Sequence, residues 1–494
     1  MTQFEYNSSA SATYISSPTG TIFFDDRPAG AGKTHAEIDH IIDNHGLYLF
    51  ACDRREAISE RSDKIRSMLA YRRSSLHVEE IMSSDNETDG KRRSVKLRVE
   101  ALPHIYKSGH VLAVITHAAM MDADLSNFGS WTLVVDETPS VFESEVTNSA
   151  LTWPILQQHF AIIPGESLNA IIPAAASLAT NAEFTRDTMA REIAKLHRRV
   201  NAQHFIVLTE TDDWVMLARE PAWRWTSIWS PRALLNFDRV TVLANAFDRS
   251  LTKKVLEAIE PNIVWKRSVR PNLRRFQRRK MTITYFARAH GASRGLFDKP
   301  SGKKHLGLIS EWLRKEVGKS THIWSCNHRY ENLLKRLPGE QLPPRMAGSN
   351  RYSEVDYVSM LYTAKPDPGE FETLKILGVD PFAAKETREF ETIYQFVSRC
   401  SVRDPESDRS IQVFVYDHTQ ARYLQEMFDQ TDYVDVEMRA VDLGFLDWIY
   451  DSKSGPKKRE LSAHELEAKK VHQRVLARER QRKSREKRRA EKFT

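Results

Sequence analysis

Short apolar runs alternate along the chain with longer stretches in which apolar residues recur every three or four positions. The short runs are typical of buried β-strands, and the longer stretches are typical of amphipathic helices. In the first half, strands are predicted at 21–24, 47–51, 111–116, 131–135 and 238–244, and helices at about 34–42, 54–69 and 251–259. Because strands that alternate with helices form parallel sheets, this half is predicted to be an α/β domain.

The same alternation resumes in the second half of the chain. Strands are predicted at 282–287, 321–325, 357–362 and 411–416, and helices at about 306–317 and 387–400. Between the two halves lies a basic stretch, 266–280, in which 8 of 15 residues are Lys or Arg. We interpret this stretch as a linker between two α/β domains.

Residues 144–236 do not follow the alternation. They hold a predicted helix at 184–200 and four tryptophans that we expect to be buried rather than stacked on bases: Trp214, Trp223, Trp225 and Trp229. We interpret this region as an insertion or accessory layer. The predicted order is therefore a first α/β domain at 1–143, the insertion at 144–236, the end of the first domain at 237–265, the linker at 266–280, a second α/β domain at 281–450 and a tail at 451–494.

Composition is typical of a water-soluble globular protein. The chain has 494 residues, 41% of them hydrophobic and 28% charged, which is long enough for about two or three domains with apolar cores. No run reaches the ~18 apolar residues that a membrane helix needs, and the N-terminus lacks the pattern of a secretory signal. We therefore expect no membrane partner and an intracellular location, cytoplasmic or, for a eukaryotic or viral source, nuclear. Three widely spaced cysteines favour neither a disulfide framework nor a zinc site.

Positive charge is concentrated at the C-terminus. Residues 456–494 hold 15 Lys and Arg against 6 Glu, a net charge of +9, which leaves −2 for residues 1–455 out of the total of +7. Such a segment is predicted to be a solvated helix or a disordered arm, and its expected acidic partner is nucleic acid. A solubilising extension without a specific target is the alternative.

The segment 25–34, Asp-Asp-Arg-Pro-Ala-Gly-Ala-Gly-Lys-Thr, lies between a predicted strand and a predicted helix and matches a phosphate-binding loop. Small residues let successive N–H groups turn toward phosphates at a helix N-terminus. Lys33 is then expected to reach the β- and γ-phosphates of ATP, and the Thr34 hydroxyl to ligate Mg²⁺. Arg27 stands where G-x-x-x-x-G-K-[ST] has its first glycine, and the alternative is a glycine-rich turn with a surface lysine. The candidate ATP-binding residues are Pro28, Ala29, Gly30, Ala31, Gly32, Lys33 and Thr34.

Two carboxylates, Asp136 and Glu137, directly follow the apolar run 131–135. They are predicted to lie at the carboxyl end of a strand, where ligands bind in open α/β sheets. Asp136 can hold Mg²⁺ directly or through water, and Glu137 can orient or deprotonate the attacking water. The alternative is an ordinary transition from strand to loop.

On these two motifs the chain resembles a superfamily 2 helicase of the DEAD/DEAH-like type, in which two RecA-like domains clamp ATP between them. Residues 30–34 resemble motif I and 135–139 resemble motif II. Residues 50–56 and 115–117 are similar to segments that contact the nucleic-acid backbone in the family, and 322–327 and 347–350 resemble motifs IV and V. Residues 242–246 lie where the family has a Ser-Ala-Thr motif that couples hydrolysis to strand movement, but they depart from it. Parts of the chain also resemble origin-binding helicases of viruses and plasmids, so a viral, phage or plasmid type is expected.

The segment 395–403 is similar to the glutamine- and arginine-containing motif VI. The resemblance implies that Gln395 lies at the ATP and that Arg399 or Arg403 acts as the arginine finger. A planar cation from the second domain can stabilise charge on the transferring γ-phosphoryl group. Because Arg403 lies one residue later than the family's closing arginine, the choice between the two stays open. The alternative is a helix with surface arginines.

Together with the resemblance, these patterns predict an α/β fold of two RecA-like P-loop NTPase domains with parallel sheets, an insertion in the first, and a basic helical or disordered tail. The function that the resemblance implies is an ATP-dependent helicase or translocase that acts on DNA or RNA, with single strands as the expected form. Protein partners in replication or nucleic-acid processing are also expected. A terminase-like packaging ATPase and a nucleic-acid-binding scaffold with a decayed ATPase are the alternatives.

Overall fold

The computed structural model describes residues 20–72, 74–82, 95–175, 177–270, 275–345 and 351–449. The predicted motif V at 347–350, part of the basic linker and the C-terminal tail lie outside these residues. Among the described helices, none has both the length and the apolar character that crossing a membrane requires.

The described strands are, in chain order, β1 Gly20–Asp25, β2 Leu47–Cys52, β3 His77–Glu80, β4 Val111–Thr116, β5 Trp131–Asp136, β6 Phe142–Asn148, β7 Phe160–Ile163, β8 Asn169–Pro173, β9 Phe205–Thr209, β10 Ala222–Trp229, β11 Arg239–Leu243, β12 Ile263–Arg267, β13 Arg279–Ala287, β14 His322–Cys326, β15 Glu340–Gln341, β16 Tyr357–Leu361, β17 Ile411–Asp417 and β18 Val434–Ala440. The α-helices are α1 Lys33–Asp43, α2 Arg55–Arg72, α3 Val95–Ile105, α4 His117–Asp122, α5 Ser149–His159, α6 Asn181–Arg186, α7 Ala194–Val200, α8 Leu251–Ile259, α9 Arg294–Phe297, α10 Pro300–Val317, α11 Glu331–Leu334, α12 Pro368–Ile376, α13 Phe382–Lys385, α14 Glu391–Val397 and α15 His418–Phe428.

The first domain is built on a seven-stranded sheet in the order β12-β1-β11-β5-β2-β4-β3, and every strand pair in it is parallel. Its central strands are apolar on both faces because helices cover both sides: all six residues of β2 are buried. The predicted strands of this half are confirmed, whereas the two outer strands, β3 and β12, are not predicted by the sequence. Strand β11 lies between β1 and β5, so the loops after these three strands meet at one edge.

Between β5 and β11 the chain forms a separate antiparallel sheet in the order β6-β10-β9-β8-β7. The four tryptophans of this region are between 1% and 5% exposed, which confirms that they belong to the core. The helix predicted at 184–200 is wrong as a single element: α6 ends at Arg186 and a 3-10 turn precedes α7. The chain breaks there because the Asp187 carboxylate accepts from the backbone N–H groups of Met189 and Ala190, at 2.8 and 2.7 Å.

The second domain has a six-stranded sheet in the order β15-β14-β16-β17-β13-β18, again with all pairs parallel. Its predicted strands are confirmed. The helix predicted at 387–400 differs in both halves, because a π-helical turn occupies Glu386–Phe390 and α14 ends at Val397. Together the two parallel sheets and their helices form two RecA-like α/β domains.

The two domains share apolar contacts and an ion pair. Leu374 and Ala384, from α12 and the end of α13, are fully buried in the same apolar cluster as Val255 of α8. Arg224 Nη2 of β10 lies 2.8 Å from Asp367 Oδ1, the residue that caps α12. The second domain is therefore packed both on the first domain and on the antiparallel sheet.

Two glycines of α10 offer a matched test of how closely α9 and α10 pack within the second domain. A Cβ at Gly302 would lie 2.2 Å from the Leu296 carbonyl oxygen, whereas a Cβ at Gly307 would meet nothing within 4 Å. We expect Gly302→Ala to lower the free energy of unfolding by about 2 kcal/mol or more, because backbone has to move. Gly307→Ala should raise it by about 0.5–1 kcal/mol through helix propensity. Denaturant unfolding of both variants checks the pair, and equal effects would contradict the close approach of α9 to Gly302 of α10.

Candidate nucleotide-binding cleft

The loop after β1 has the backbone conformation that the phosphate-loop prediction requires. Gly30 and Gly32 have φ values of +86° and +75°, in the left-handed region that favours glycine, and Gly32 caps α1. The Lys33 ammonium folds back over the loop and donates to the carbonyl oxygens of Arg27 and Pro28, at 2.6 and 3.1 Å. Burial lowers the pKa of Lys33, and the nearby Glu137 carboxylate opposes that shift.

Arg27, which replaces the first glycine of the motif, turns its side chain away from the loop. Its Nε and Nη2 atoms donate to the two carboxylate oxygens of Asp25, at 2.9 and 2.6 Å. Asp25 ends β1 and is 3% exposed. The replacement therefore ties the loop to the end of the strand and leaves the small residues of the loop facing the cleft.

Asp136 lies at the end of β5, opposite the first turn of α1. Thr34 Oγ1 donates to Asp136 Oδ1 at 2.7 Å, and this contact joins residues that are 102 positions apart. Arg61 of α2 pairs with the other carboxylate oxygen, Nε at 3.1 Å and Nη2 at 3.0 Å. The Asp136 carboxylate raises the pKa of Arg61, and a charge-assisted double contact of this kind fixes the orientation of a carboxylate.

Glu137 leaves the strand in a strained conformation. Its φ is +76°, rare for a residue with a side chain, and its N–H donates to the Leu243 carbonyl oxygen at 3.0 Å. The side chain crosses to the second domain, where Gln395 Nε2 donates to Glu137 Oε2 at 2.9 Å. Burial, with a contribution from Asp136, raises the pKa of Glu137.

A second acid, the partly buried Glu391, lies one helical turn before Gln395. Gln395 Nε2 also donates to Glu391 Oε1 at 3.1 Å, and Asn245 Nδ2 donates to Glu391 Oε2 at 2.7 Å. Burial, and next the Glu137 carboxylate, raise the pKa of Glu391 to about 8. The hydroxyl oxygen of Tyr394, the residue before Gln395, accepts the backbone N–H of Ala29 in the phosphate loop at 3.1 Å.

Both candidate arginine fingers line the same cleft. Arg403 Nε donates to the Ser398 carbonyl oxygen at 2.6 Å. Burial lowers the pKa of both side chains, and for Arg399 the repulsion of Arg403 and Arg54 adds to burial and brings the pKa to about 10. Because α14 ends at Val397, Arg399 reaches the cleft from a turn rather than from the predicted helix.

The loop, the two carboxylates and the residues of 395–403 surround a cleft of about 920 Å³ between the domains. Of the predicted site residues, the cleft is lined by Ala29, Gly30, Gly32, Lys33, Thr34, Asp136, Glu137, Gln395, Arg399 and Arg403. Pro28 and Ala31 hold the loop closed behind it, since Ala31 N donates to the Pro28 carbonyl oxygen at 3.2 Å. The structure thus brings the predicted residues together, while their roles remain predictions.

Four residues at the site were not predicted. Arg61, Asn245 and Glu391 line the cleft, and the buried Tyr394 contacts the phosphate loop through Ala29. Each makes its contact to a residue far away in the sequence, as the Ala29–Tyr394 bond over 365 positions illustrates. Arg61 lies on a helix with many other charged residues, and Glu391 lies on a largely apolar helix. In neither case does the local sequence distinguish the site residue from its neighbours.

Other predicted contact segments have structural partners in the described part of the chain. Thr116 caps α4 by accepting the N–H of Ala119 at 3.1 Å, and His322 Nε2 bonds the Ser359 hydroxyl at 2.8 Å. In the basic linker, Arg267 pairs with Asp26 at 2.7 Å and Arg270 with Glu37 at 2.5 Å. These two linker arginines are therefore engaged by protein carboxylates of the first domain.

The residues of the cleft fit a nucleotide with a magnesium ion. Positive-φ glycines at a helix N-terminus, followed by a lysine, suit the phosphates of ATP. Mg²⁺ is usually held by one or two protein oxygens together with phosphates and waters. Thr34 Oγ1 and Asp136 Oδ1, which lie 2.7 Å apart, are such a pair of oxygens.

Comparisons with known proteins give fold-level likenesses only. No protein-family model and no curated protein sequence matches the chain. Among solved structures, an XPD helicase aligns at 11% identity with a TM-score of 0.47, over 85% of this chain and 96% of that one. Xpd4 of S. tokodaii aligns at 10% identity and 0.45, over 85% and 96%, and S. cerevisiae Dbp5 bound to RNA and ADP–BeF3 at 10% and 0.34, over 87% and 86%. The RecA-like fold rests on the order and direction of the strands, since these TM-scores lie below 0.5.

Proposed function

We propose that this protein is an ATP-dependent nucleic-acid helicase or translocase that hydrolyses ATP in the cleft between its two RecA-like domains. The observation that carries the proposal is the contact between Gln395 and Glu137, 2.9 Å long and formed across the cleft. This contact links Glu137, which is expected to position the attacking water, to the second domain. A change in the angle between the domains would therefore change the geometry of the site. That linkage is what coupling hydrolysis to movement requires.

In this proposal each residue group has one task. Lys33 and the loop bind the phosphates, Glu137 orients the attacking water, and an arginine from 399–403 stabilises the charge of the transferring phosphoryl group. Thr34 and Asp136 would hold Mg²⁺, which neutralises phosphate charge when bound. Arg61 fixes the Asp136 carboxylate so that its other oxygen faces Thr34.

The proposed partner is DNA or RNA, with single strands as the expected form. Support comes from the net charge of +9 in residues 456–494, which suits a polyanion. We also propose the domain division given by the sequence, with the insertion at 144–236 as an accessory part of the first domain. Proteins of replication or nucleic-acid processing are proposed as further partners.

The test is phosphate release by the purified full-length chain, measured with ATP and Mg²⁺, with and without single-stranded DNA or RNA. We expect turnover that rises when single strands are added and that disappears when the magnesium is chelated. A chain that binds nucleic acid without any turnover would favour the scaffold with a decayed ATPase. A rate of phosphate release that is the same with and without nucleic acid at every salt concentration would rule out a translocase.

A further inference from the structure

The segment that follows β11 contacts the second domain directly. Asn245 Nδ2 donates to Glu391 Oε2 at 2.7 Å, and Leu251 N donates to Thr387 Oγ1 at 2.8 Å. Both acceptors lie in the π-helical turn or in the first turn of α14. Such π-helical turns are frequent at functional sites. This segment is also the one that departs from the family's Ser-Ala-Thr motif.

The contact closes a ring of hydrogen bonds around Glu137. The Glu137 backbone N–H donates to Leu243 O of β11 at 3.0 Å, and its carboxylate accepts from Gln395 at 2.9 Å. Gln395 donates in turn to Glu391 at 3.1 Å, and Glu391 accepts from Asn245, two residues after Leu243. The backbone of Glu137 is therefore held by the β11 segment directly, and its side chain is held by that segment through the second domain.

Geometry leaves the Gln395 amide little freedom within this ring. A terminal amide has two N–H donors, and here they serve the two carboxylates of Glu137 and Glu391. Asn245 is 5% exposed, and its Oδ1 has no hydrogen-bond partner within the described residues. Glu391 Oε2 also accepts from the Tyr423 hydroxyl at 3.3 Å, a longer bond than the one from Asn245. Without the Asn245 bond, Glu391 keeps only this longer bond at Oε2 and is held less firmly, and so is the Gln395 amide that holds Glu137.

We infer that Asn245 and Glu391 are positioning residues for the hydrolysis of ATP. They fix the Gln395 amide and, through it, the Glu137 carboxylate when the two domains are in contact. This inference rests on the proposed function, since it concerns the same cleft.

A swapped pair of substitutions tests the inference. At a pH above the Glu391 pKa of about 8, Asn245→Asp places two carboxylates against each other. Asn245→Asp combined with Glu391→Gln restores the hydrogen bond with donor and acceptor exchanged. We expect the single Asn245→Asp change to lower kcat about tenfold with less than about a twofold change in KM for ATP. The double variant should recover to within about threefold of wild type. Asn332→Asp, the same chemical change at an exposed position of α11, is the matched control.

Thermal melting of each variant separates a positioning role from a folding role. A folding defect would lower the melting temperature, whereas a positioning defect lowers kcat and leaves the melting temperature unchanged. Wild-type turnover together with an unchanged Asn245→Asp rate would overturn this inference and leave the proposed function standing. The inference would also be overturned, and the proposed function left standing, if the double variant had the same low kcat as the single variant while both kept the wild-type melting temperature. A wild-type chain with no turnover would overturn the proposed function and this inference together.

Discussion

Glu137→Gln is expected to bind ATP and yet to hydrolyse it about 10² to 10⁴ times more slowly than the wild type, the range for loss of a positioned general base. The glutamine keeps the size of the side chain and an oxygen that can accept from Gln395, as Glu137 Oε2 does at 2.9 Å. What it loses is the negative charge that orients or deprotonates water. Lys33→Ala should differ in kind, losing nucleotide binding and turnover together, because the ammonium is the cation that lies over the phosphate loop.

The two variants are to be measured side by side, with binding followed by a fluorescent nucleotide analogue and turnover by phosphate release. Exposed residues supply the controls: Glu437→Gln on the edge strand β18 and Lys319→Ala after α10 make the same chemical changes away from the cleft. If Glu137→Gln retained the wild-type rate, Glu137 could not be the group that activates water, and the proposed roles in the cleft would fail.

How much of the site the sequence predicts depends on whether the signal is local. The phosphate loop lies within ten residues between a strand and a helix, and Asp136 directly follows an apolar run, so spacing alone locates both. Arg61 is different, because α2 is polar along most of its length and carries several charged residues. Its partner Asp136 is 75 positions away, and only the fold brings the two together.

The helices and strands also divide into those that have a local signal in the sequence and those that do not. Central strands of the two parallel sheets, such as β2, β4 and β17, are buried on both faces and read as continuous apolar runs, which is why they are predicted. The strands β3, β12, β15 and β18 are more exposed, have no such run and are not predicted. Strand β6, with the sequence Phe-Glu-Ser-Glu-Val-Thr-Asn, is paired on one side by β10 and has no such run, so the antiparallel sheet was not predicted. Asp187 ends α6 through two hydrogen bonds to backbone N–H groups, which the periodicity of apolar residues does not report. The same periodicity does not distinguish the π-helical turn before α14 from an α-helix.

The electrostatic surroundings of the two candidate arginine fingers differ, and on this difference we propose Arg403 as the finger. Glu137 is the charged group that acts most strongly on Arg403, whereas on Arg399 the repulsion of Arg403 and Arg54 is stronger than the attraction of Glu137. Arg403 is thus the guanidinium more closely associated with the residue that is proposed to activate water. Arg399 is more strongly coupled to Arg54, in the segment that resembles a contact to the nucleic-acid backbone.

Arg403→Ala is therefore expected to lower kcat for ATP by about 10³-fold, the lower end of the effect of an arginine finger, with a much smaller change in nucleotide affinity. Arg403→Lys should recover little of that rate, because an ammonium lacks the planar fork of a guanidinium. Arg399→Ala should cost about tenfold and act mainly on the stimulation by single strands. Steady-state phosphate release over a range of ATP and single-strand concentrations separates these effects, with the exposed Arg314→Ala of α10 as the control. The reverse order, a larger loss of kcat in Arg399→Ala, would assign the finger to Arg399, and equal small losses in both would leave the second domain without a catalytic arginine in 395–403.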